Sequence, residues 1–257
     1  MITGLEALKD MEYPGRFIMA GRGNTTNIIA VYGITGRSAS SKARKIVLKE
    51  EKRKQLLTVA PTNMEVLRSG NLDLLIYTAC IINNNGITVS NGKQTEQVSR
   101  WLGSKDSIQA LAFAHRFWDY ELDSPNFTPR ITACIKDNIA ALGIIKRHKD
   151  GNSKRVYVEL PLVLDEGYFI ATYSGQIQDP LPPFQGEPLA LDLEGITTSS
   201  EITGRAFYDA LTPKDPTKDF RVSIAAVHYN LRSSHADITI INAADMQKGI
   251  IKGIVET

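Results

Sequence analysis

Asp119-Tyr120-Glu121-Leu122-Asp123 places three carboxylates within five positions, the densest acidic group in the sequence. In an extended chain Asp119, Glu121 and Asp123 share one side and Tyr120 faces the other. Carboxylates that crowd one another raise a pKa, and a raised carboxyl suits proton transfer near neutral pH. The same segment also reads as a solvated acidic helix end, or as carboxylates paired to Arg130. A cationic counterpart lies near the N-terminus. Arg16 and Arg22 each follow a glycine and flank a short strand-like run, and Gly36-Arg37-Ser38-Ala39-Ser40-Ser41 follows another, with Arg44 beyond. A turn with a glycine, an arginine and three hydroxyls offers backbone N–H, O–H and guanidinium donors to one phosphate. Each arginine alone reads as a solvated surface residue; the cluster points to an anion.

Other chemistries find little support. Gly21-Arg22-Gly23-Asn24-Thr25-Thr26 lacks the third glycine and the following helix of a dinucleotide fingerprint, and no Walker-type Gly-Lys-Ser/Thr occurs. His115, His148, His228 and His235 lie far apart without ligand spacing, so no metal site is expected. His115, on an apolar helix face, and His228, in an apolar strand, read as core residues. Cys80 and Cys134 sit inside apolar runs and read as buried reduced thiols. A formal net charge of +2 excludes a strongly basic nucleic-acid binder but not a small anion held by local arginines. With an early acid, no apolar targeting segment and no run long enough for a bilayer, a cytoplasmic location is expected.

The elements that must position these groups follow from periodicity. Short β-branched or aliphatic runs predict strands over 17–20, 27–32, 45–48 and 55–59. Runs 73–83 and 87–90 flank Asn85-Gly86, the strongest hairpin signal in the chain. Asn91 with Gln94 predicts a cap for a helix over 96–102, and Asp106 with Gln109 one for a helix over 107–118. The second helix is apolar nearly all round, as a helix packed between layers is. Strands resume at 130–135, 139–146, 155–160 and 168–172. Pro180, Pro182 and Pro183 predict a loop over 179–188. A helix over 200–211 and strands over 220–229 and 236–242 close the chain. The charged run 42–54 reads as a solvated hairpin tip. Strands, then helices, then strands predict an α+β fold with an antiparallel sheet core and helices outside. At 257 residues and 42% hydrophobic composition the core needs no disulfide or metal. One domain over 1–257 is expected, with a dispensable-looking leader over 1–12 and a proline-rich loop insertion over 176–199.

Taken in order, several segments resemble the archaeal-type IMP cyclohydrolase family. They are Tyr13-Pro14-Gly15-Arg16, Gly21-Arg22, Ala30-Val31-Tyr32 with Gly36-Arg37-Ser38, and Val89-Ser90-Asn91-Gly92 with Gln94-Thr95. Asp119-Tyr120-Glu121 with Thr128-Pro129-Arg130-Ile131 and then Thr172-Tyr173 complete the set, over roughly the first 175 residues. The resemblance implies a four-layer α-β-β-α sandwich of two antiparallel sheets between helices, similar to N-terminal nucleophile hydrolases, without the terminal nucleophile. It implies ring closure of 5-formamidoimidazole-4-carboxamide ribonucleotide to IMP with loss of water, without metal or organic cofactor. Arg37, Tyr77 and Glu121 are then the expected catalytic residues. Expected substrate contacts are Arg16, Arg22, Ser38, Asn91, Gly92, Thr95, Tyr120, Asp123, Arg130, Thr172 and Tyr173. Within that set Arg37 and Ser38 orient the phosphate or formyl oxygen, Tyr77 or Tyr120 meets the imidazole, Glu121 shuttles a proton, and Asn91 with Arg130 fixes polar groups. The expected partner is a purine nucleotide, with no nucleic acid or membrane, in a homo-oligomer. The chain is longer than the family leads one to expect, with additions over 176–198 and at the C-terminus. An amide hydrolase on the same scaffold, and a non-catalytic purine-nucleotide binding protein, are the alternatives.

Overall fold

The computed structural model of the chain describes residues 2–23, 26–68, 70–246 and 251–253. In chain order its strands are β1 (Arg16–Arg22), β2 (Asn27–Thr35), β3 (Arg44–Glu51), β4 (Lys54–Pro61), β5 (Tyr77–Asn83), β6 (Gly86–Ser90) and β7 (Arg130–Lys136). They continue with β8 (Ile139–Arg147), β9 (Ser153–Pro161), β10 (Glu166–Ala171), β11 (Leu189–Asp192), β12 (Arg221–Asn230), β13 (Ala236–Asn242) and β14 (Ile251–Gly253). One sheet runs β11-β10-β1-β2-β12-β13-β14 and the other β3-β4-β5-β6-β7-β8-β9, with every neighbouring pair antiparallel.

The helices are α1 (Glu6–Lys9), α2 (Ala39–Lys42), α3 (Met64–Leu67), α4 (Leu72–Leu75), α5 (Gln94–Leu102), α6 (Ser107–His115) and α7 (Ser200–Ala210). Helices α5 and α6 pack across β5 to β9 of the second sheet, and α7 packs on β12 and β13 of the first. The layers are therefore helix, sheet, sheet, helix, as expected. Removing apolar surface from water drives this stacking. Phe17, Ile18, Phe169 and Val227 from the first sheet join Ile46, Val59, Ile87 and Ala133 from the second in one buried core. A smaller core of Val98, Leu102, Leu111, Ala114, Cys134 and Ala141 lies beneath α5 and α6. A polar clamp joins the sheets at the β3 edge. The Asn242 side chain accepts from Ile46 N (2.9 Å) and donates to Ile46 O (3.1 Å), satisfying backbone groups that have no strand partner on that side.

Several local expectations are corrected. Residues 73–75 belong to α4, because the Asn71 side chain accepts from Asp73 N and caps a helical turn there, so the strand starts at Tyr77. The second helix stops at His115 rather than 118, where Arg155 reaches in and donates to the carbonyls of His115 and Trp118. Asp106 caps that helix as its sequence predicts. Asn91 does not cap α5, which begins at Gln94 after Lys93 without a side-chain cap. Residues 2–12 pack onto the sandwich. Leu8 is fully buried, Thr3 bonds through its backbone to both Ala190 and Asp192, and Tyr13 N donates to Gly175 O. The 176–199 addition is only partly loop, since it contributes β11 to the sheet edge. The charged run 42–54 does form an exposed tip over 50–54, but Arg44 at its base is buried. Among the described residues no helix is long and apolar enough to cross a membrane.

Candidate active site

At the end of the sandwich where β1 and β3 begin and β2 ends, a cavity of about 580 Å³ opens between the sheets. That volume suits a nucleotide-sized ligand, since small-molecule sites span roughly 300–1,000 Å³. The Tyr13-Pro14-Gly15-Arg16 turn delivers its first wall. Gly15 has φ +75°, and a side chain there would collide with Thr172 and Tyr173. The Thr172 hydroxyl donates to Pro14 O and accepts from Arg16 N, both at 3.1 Å, and so fixes where β1 starts.

Arg16 reaches across to Glu121, donating from Nη2 to Oε2 at 2.9 Å. Glu121 is only 2% exposed, and its Oε1 has no hydrogen-bond partner among the described residues. Arg130 Nη1 stands 3.7 Å from that oxygen. Burial raises the Glu121 carboxyl above its ordinary range, against the opposing pull of Arg16 and Arg130. Burial also works against the Arg16 charge, but Glu121 and the nearby phenols outweigh it and the guanidinium stays charged. The loop after Glu121 is closed by Thr128. Its backbone N and hydroxyl donate to the two Asp123 carboxylate oxygens at 2.7 and 2.5 Å, and its hydroxyl accepts from Tyr173.

Opposite lies Arg44, 3% exposed, donating Nε–H to Ser41 O at 2.8 Å. It has no carboxylate partner among the described residues, and burial lowers its pKa. A buried cation without a counter-ion is costly, so its placement on a cavity wall marks a seat for an anion. Ser38, Ser40, Ser41 and Arg37 line the same side. Arg37 also lies over the Tyr13 ring, 5.2 Å from its centre. A third, apolar side is made by Tyr13, Tyr173 and Leu181, packed together, with Leu181 N tied to the Asn126 side chain. Behind the wall the Tyr32 and Tyr77 hydroxyls meet at 2.6 Å.

Of the residues expected from sequence, Arg16, Arg37, Ser38, Glu121, Asp123 and Tyr173 share this cavity. Arg130 and Thr172 back its lining through Glu121 and Arg16, whereas Tyr77 bonds to Tyr32 between the sheets. The others lie elsewhere. Arg22 ends β1, about 20 Å along the strand from Arg16, and donates to Leu162 O. Tyr120 donates to Gly151 O and packs edge-on to Phe127. Asn91 is buried under β7, where it donates to Pro129 O and accepts from Ile131 N, both at 2.8 Å. Gly92 and Thr95 complete that turn, the Gly92 carbonyl accepting from Ser90 and Thr95 hydroxyls. Asp119 points to Ser153 and Arg155 rather than joining its two acidic neighbours. Sequence reasoning put Arg44 in the anion-binding cluster but not among the site residues, and did not nominate Tyr13, Thr128, Asn126 or Leu181. Arg44 carried the one usable signal, a cation at the end of the serine-rich turn. Both cysteines are buried away from the cavity, and burial pushes the Cys134 thiol up to about 12.

A family model described as IMP cyclohydrolase-like protein matches residues 13–228, a span that contains every residue of the cavity wall. An IMP cyclohydrolase of Methanopyrus kandleri is 29% identical over 176 residues, covering 66% of this chain and 80% of the relative. An IMP cyclohydrolase of Methanocaldococcus jannaschii is 28% identical over 164 residues, covering 63% and 73%. The ordered motifs, the double-sheet scaffold and the matched span agree: the chain belongs to the IMP cyclohydrolase-like family.

Proposed function

We propose that this protein is an IMP cyclohydrolase, closing 5-formamidoimidazole-4-carboxamide ribonucleotide to IMP and water in the cytoplasm. The observation that carries the reading is one cavity holding a buried Arg16–Glu121 pair at one end and a buried, unpaired Arg44 at the other. In the reaction the carboxamide nitrogen attacks the formyl carbon, a C–N bond forms, and one nitrogen proton moves to the formyl oxygen. The carbinol C–O bond then breaks, the formamido nitrogen gives up its proton, and that oxygen leaves as water.

The nucleophile is weak but tethered, so freezing the reactive rotamer supplies much of the acceleration. Arg44, Arg37 and the serines anchor the phosphate, and Tyr13, Tyr173 and Leu181 back the base. Glu121, with its carboxyl raised by burial and Oε1 open, accepts the nitrogen proton and returns one to the departing oxygen. Arg16 and Arg130 stabilise the charge that builds on the formyl oxygen. Asp123, already gripped by Thr128, meets the ribose. An amide hydrolase needs an activated nucleophile, and neither buried thiol supplies one.

Ultraviolet monitoring of purified protein with the formamido nucleotide tests this directly. Substrate-dependent appearance of IMP is expected. Tight nucleotide binding without turnover would replace the enzyme by a nucleotide-binding protein.

A further inference from the structure

Four polar groups lie on facing strands toward the cavity end of the largely apolar gap between the sheets. Arg16 and Tyr32 come from β1 and β2 of the first sheet, Arg44 and Tyr77 from β3 and β5 of the second. The Tyr32–Tyr77 hydrogen bond, 2.6 Å, therefore crosses from one sheet to the other, with the two residues 1% and 4% exposed. Arg16 is pinned by Glu121, while Arg44 is held only at Nε by the Ser41 carbonyl. Tyr32 pairs with Ile18, two residues along β1 from Arg16, and Tyr77 pairs with Val59, which pairs with Ile46, two residues along β3 from Arg44, so the phenol pair shares the sheet faces that carry the two mutually repelling guanidiniums. Burial holds the Tyr32 hydroxyl protonated well above its ordinary range.

Resting on the cyclohydrolase reading, we propose that the Tyr32–Tyr77 pair is a positioning device that fixes Arg16 and Arg44 at the spacing ring closure requires. Tyr32 is a positioning residue that touches no substrate. Near-attack geometry is far less tolerant of small shifts than ground-state binding, so loss of the pair acts on kcat more than on KM.

The test is a double-mutant cycle of Tyr32→Phe and Tyr77→Phe, which remove the hydroxyls and keep the rings. Steady-state kinetics with the formamido nucleotide and thermal midpoints are recorded for all four proteins. Each single change is expected to lower kcat about tenfold or more with KM within about twofold, and the double to lose no more than the worse single. If Tyr32→Phe does not fold, Tyr77→Phe breaks the same bond and carries the comparison. A lowered midpoint with full kcat would make the pair a sheet staple only and overturn the proposal, as would losses that multiply in the double. A wild-type protein that closes no ring overturns the cyclohydrolase reading itself, and this proposal with it.

Discussion

Glu121 experiences opposing influences, burial favouring its protonated form and Arg16 and Arg130 its charged form, and a proton carrier benefits from that balance. Glu121→Gln keeps the volume and an oxygen for Arg16 to donate to, but cannot cycle a proton. It should lower kcat about 100-fold or more while product affinity and thermal midpoint stay near wild type. Retained activity would remove Glu121 from the chemistry. Arg44 makes the converse prediction. Arg44→Met removes a buried cation that has no carboxylate partner, so the ligand-free protein should be as stable or more stable. Affinity for a purine monophosphate should fall by about tenfold or more, since a charge-assisted contact to phosphate is lost. A large stability loss with unchanged nucleotide affinity would show that Arg44 serves the fold alone. Sequence exposed Glu121 through its acidic neighbours and named Arg44 in an anion-binding cluster, but concealed its burial, because burial of a cation depends on which strands come to face it.

At the scale of elements, periodicity told strand from helix wherever one face was buried. The hairpin was legible, but its two-residue loop is Asn84-Asn85, with Gly86, at φ +127°, opening β6 opposite Asn83. Asn91 shows why other features were hidden. Its spacing to Gln94 imitates a capping box, yet its amide grips the backbone of Pro129 and Ile131, some 40 residues on, and receives Gln94 Nε2. Local pattern cannot reveal a partner supplied by tertiary contact. Asn91 thereby registers β7 and the segment carrying Thr128 and Arg130 against the turn that opens α5. Asn91→Ala leaves two buried backbone groups unpaired and should destabilise the protein by about 2–6 kcal/mol, at about 1–3 kcal/mol per group. Urea denaturation checks it, and an unshifted midpoint would show the clamp to be dispensable. The N-terminal segment and Leu181 were similarly opaque, since both act by packing onto distant strands.

For the molecule as a whole, the layered architecture was legible from element order, while the cavity holding Arg16 and Glu121 at one end of the sandwich was not. Strand order across each sheet decides which ends meet, and that order puts Arg22 at the wrong end of its strand. Stability should carry the imprint of two buried imidazoles. Burial holds His115 at about 3 and His228 at about 4, below the ordinary 6.5. The unfolded chain then binds protons that the folded chain refuses. Their contribution is fully present above about pH 6.5 and is lost as pH falls toward 4, at up to about 1.4 kcal/mol per pH unit for each histidine. Glu121, with its carboxyl raised, acts in the opposite sense, so His115→Gln provides the comparison. Urea midpoints should drop between pH 7 and pH 5 in the wild type and drop less in the variant; equal slopes would exclude His115 as a source.

The most direct check on where chemistry occurs is a crystal structure of the protein with bound IMP. The phosphate should lie within hydrogen-bond distance of Arg44 and the Ser38–Ser41 turn, with the purine against Tyr13 and Tyr173 and its six-membered ring toward Glu121. Nucleotide seated instead at the far-end cleft around Lys52, Arg53 and His235, with the Arg16–Glu121 cavity vacant, would contradict the assignment.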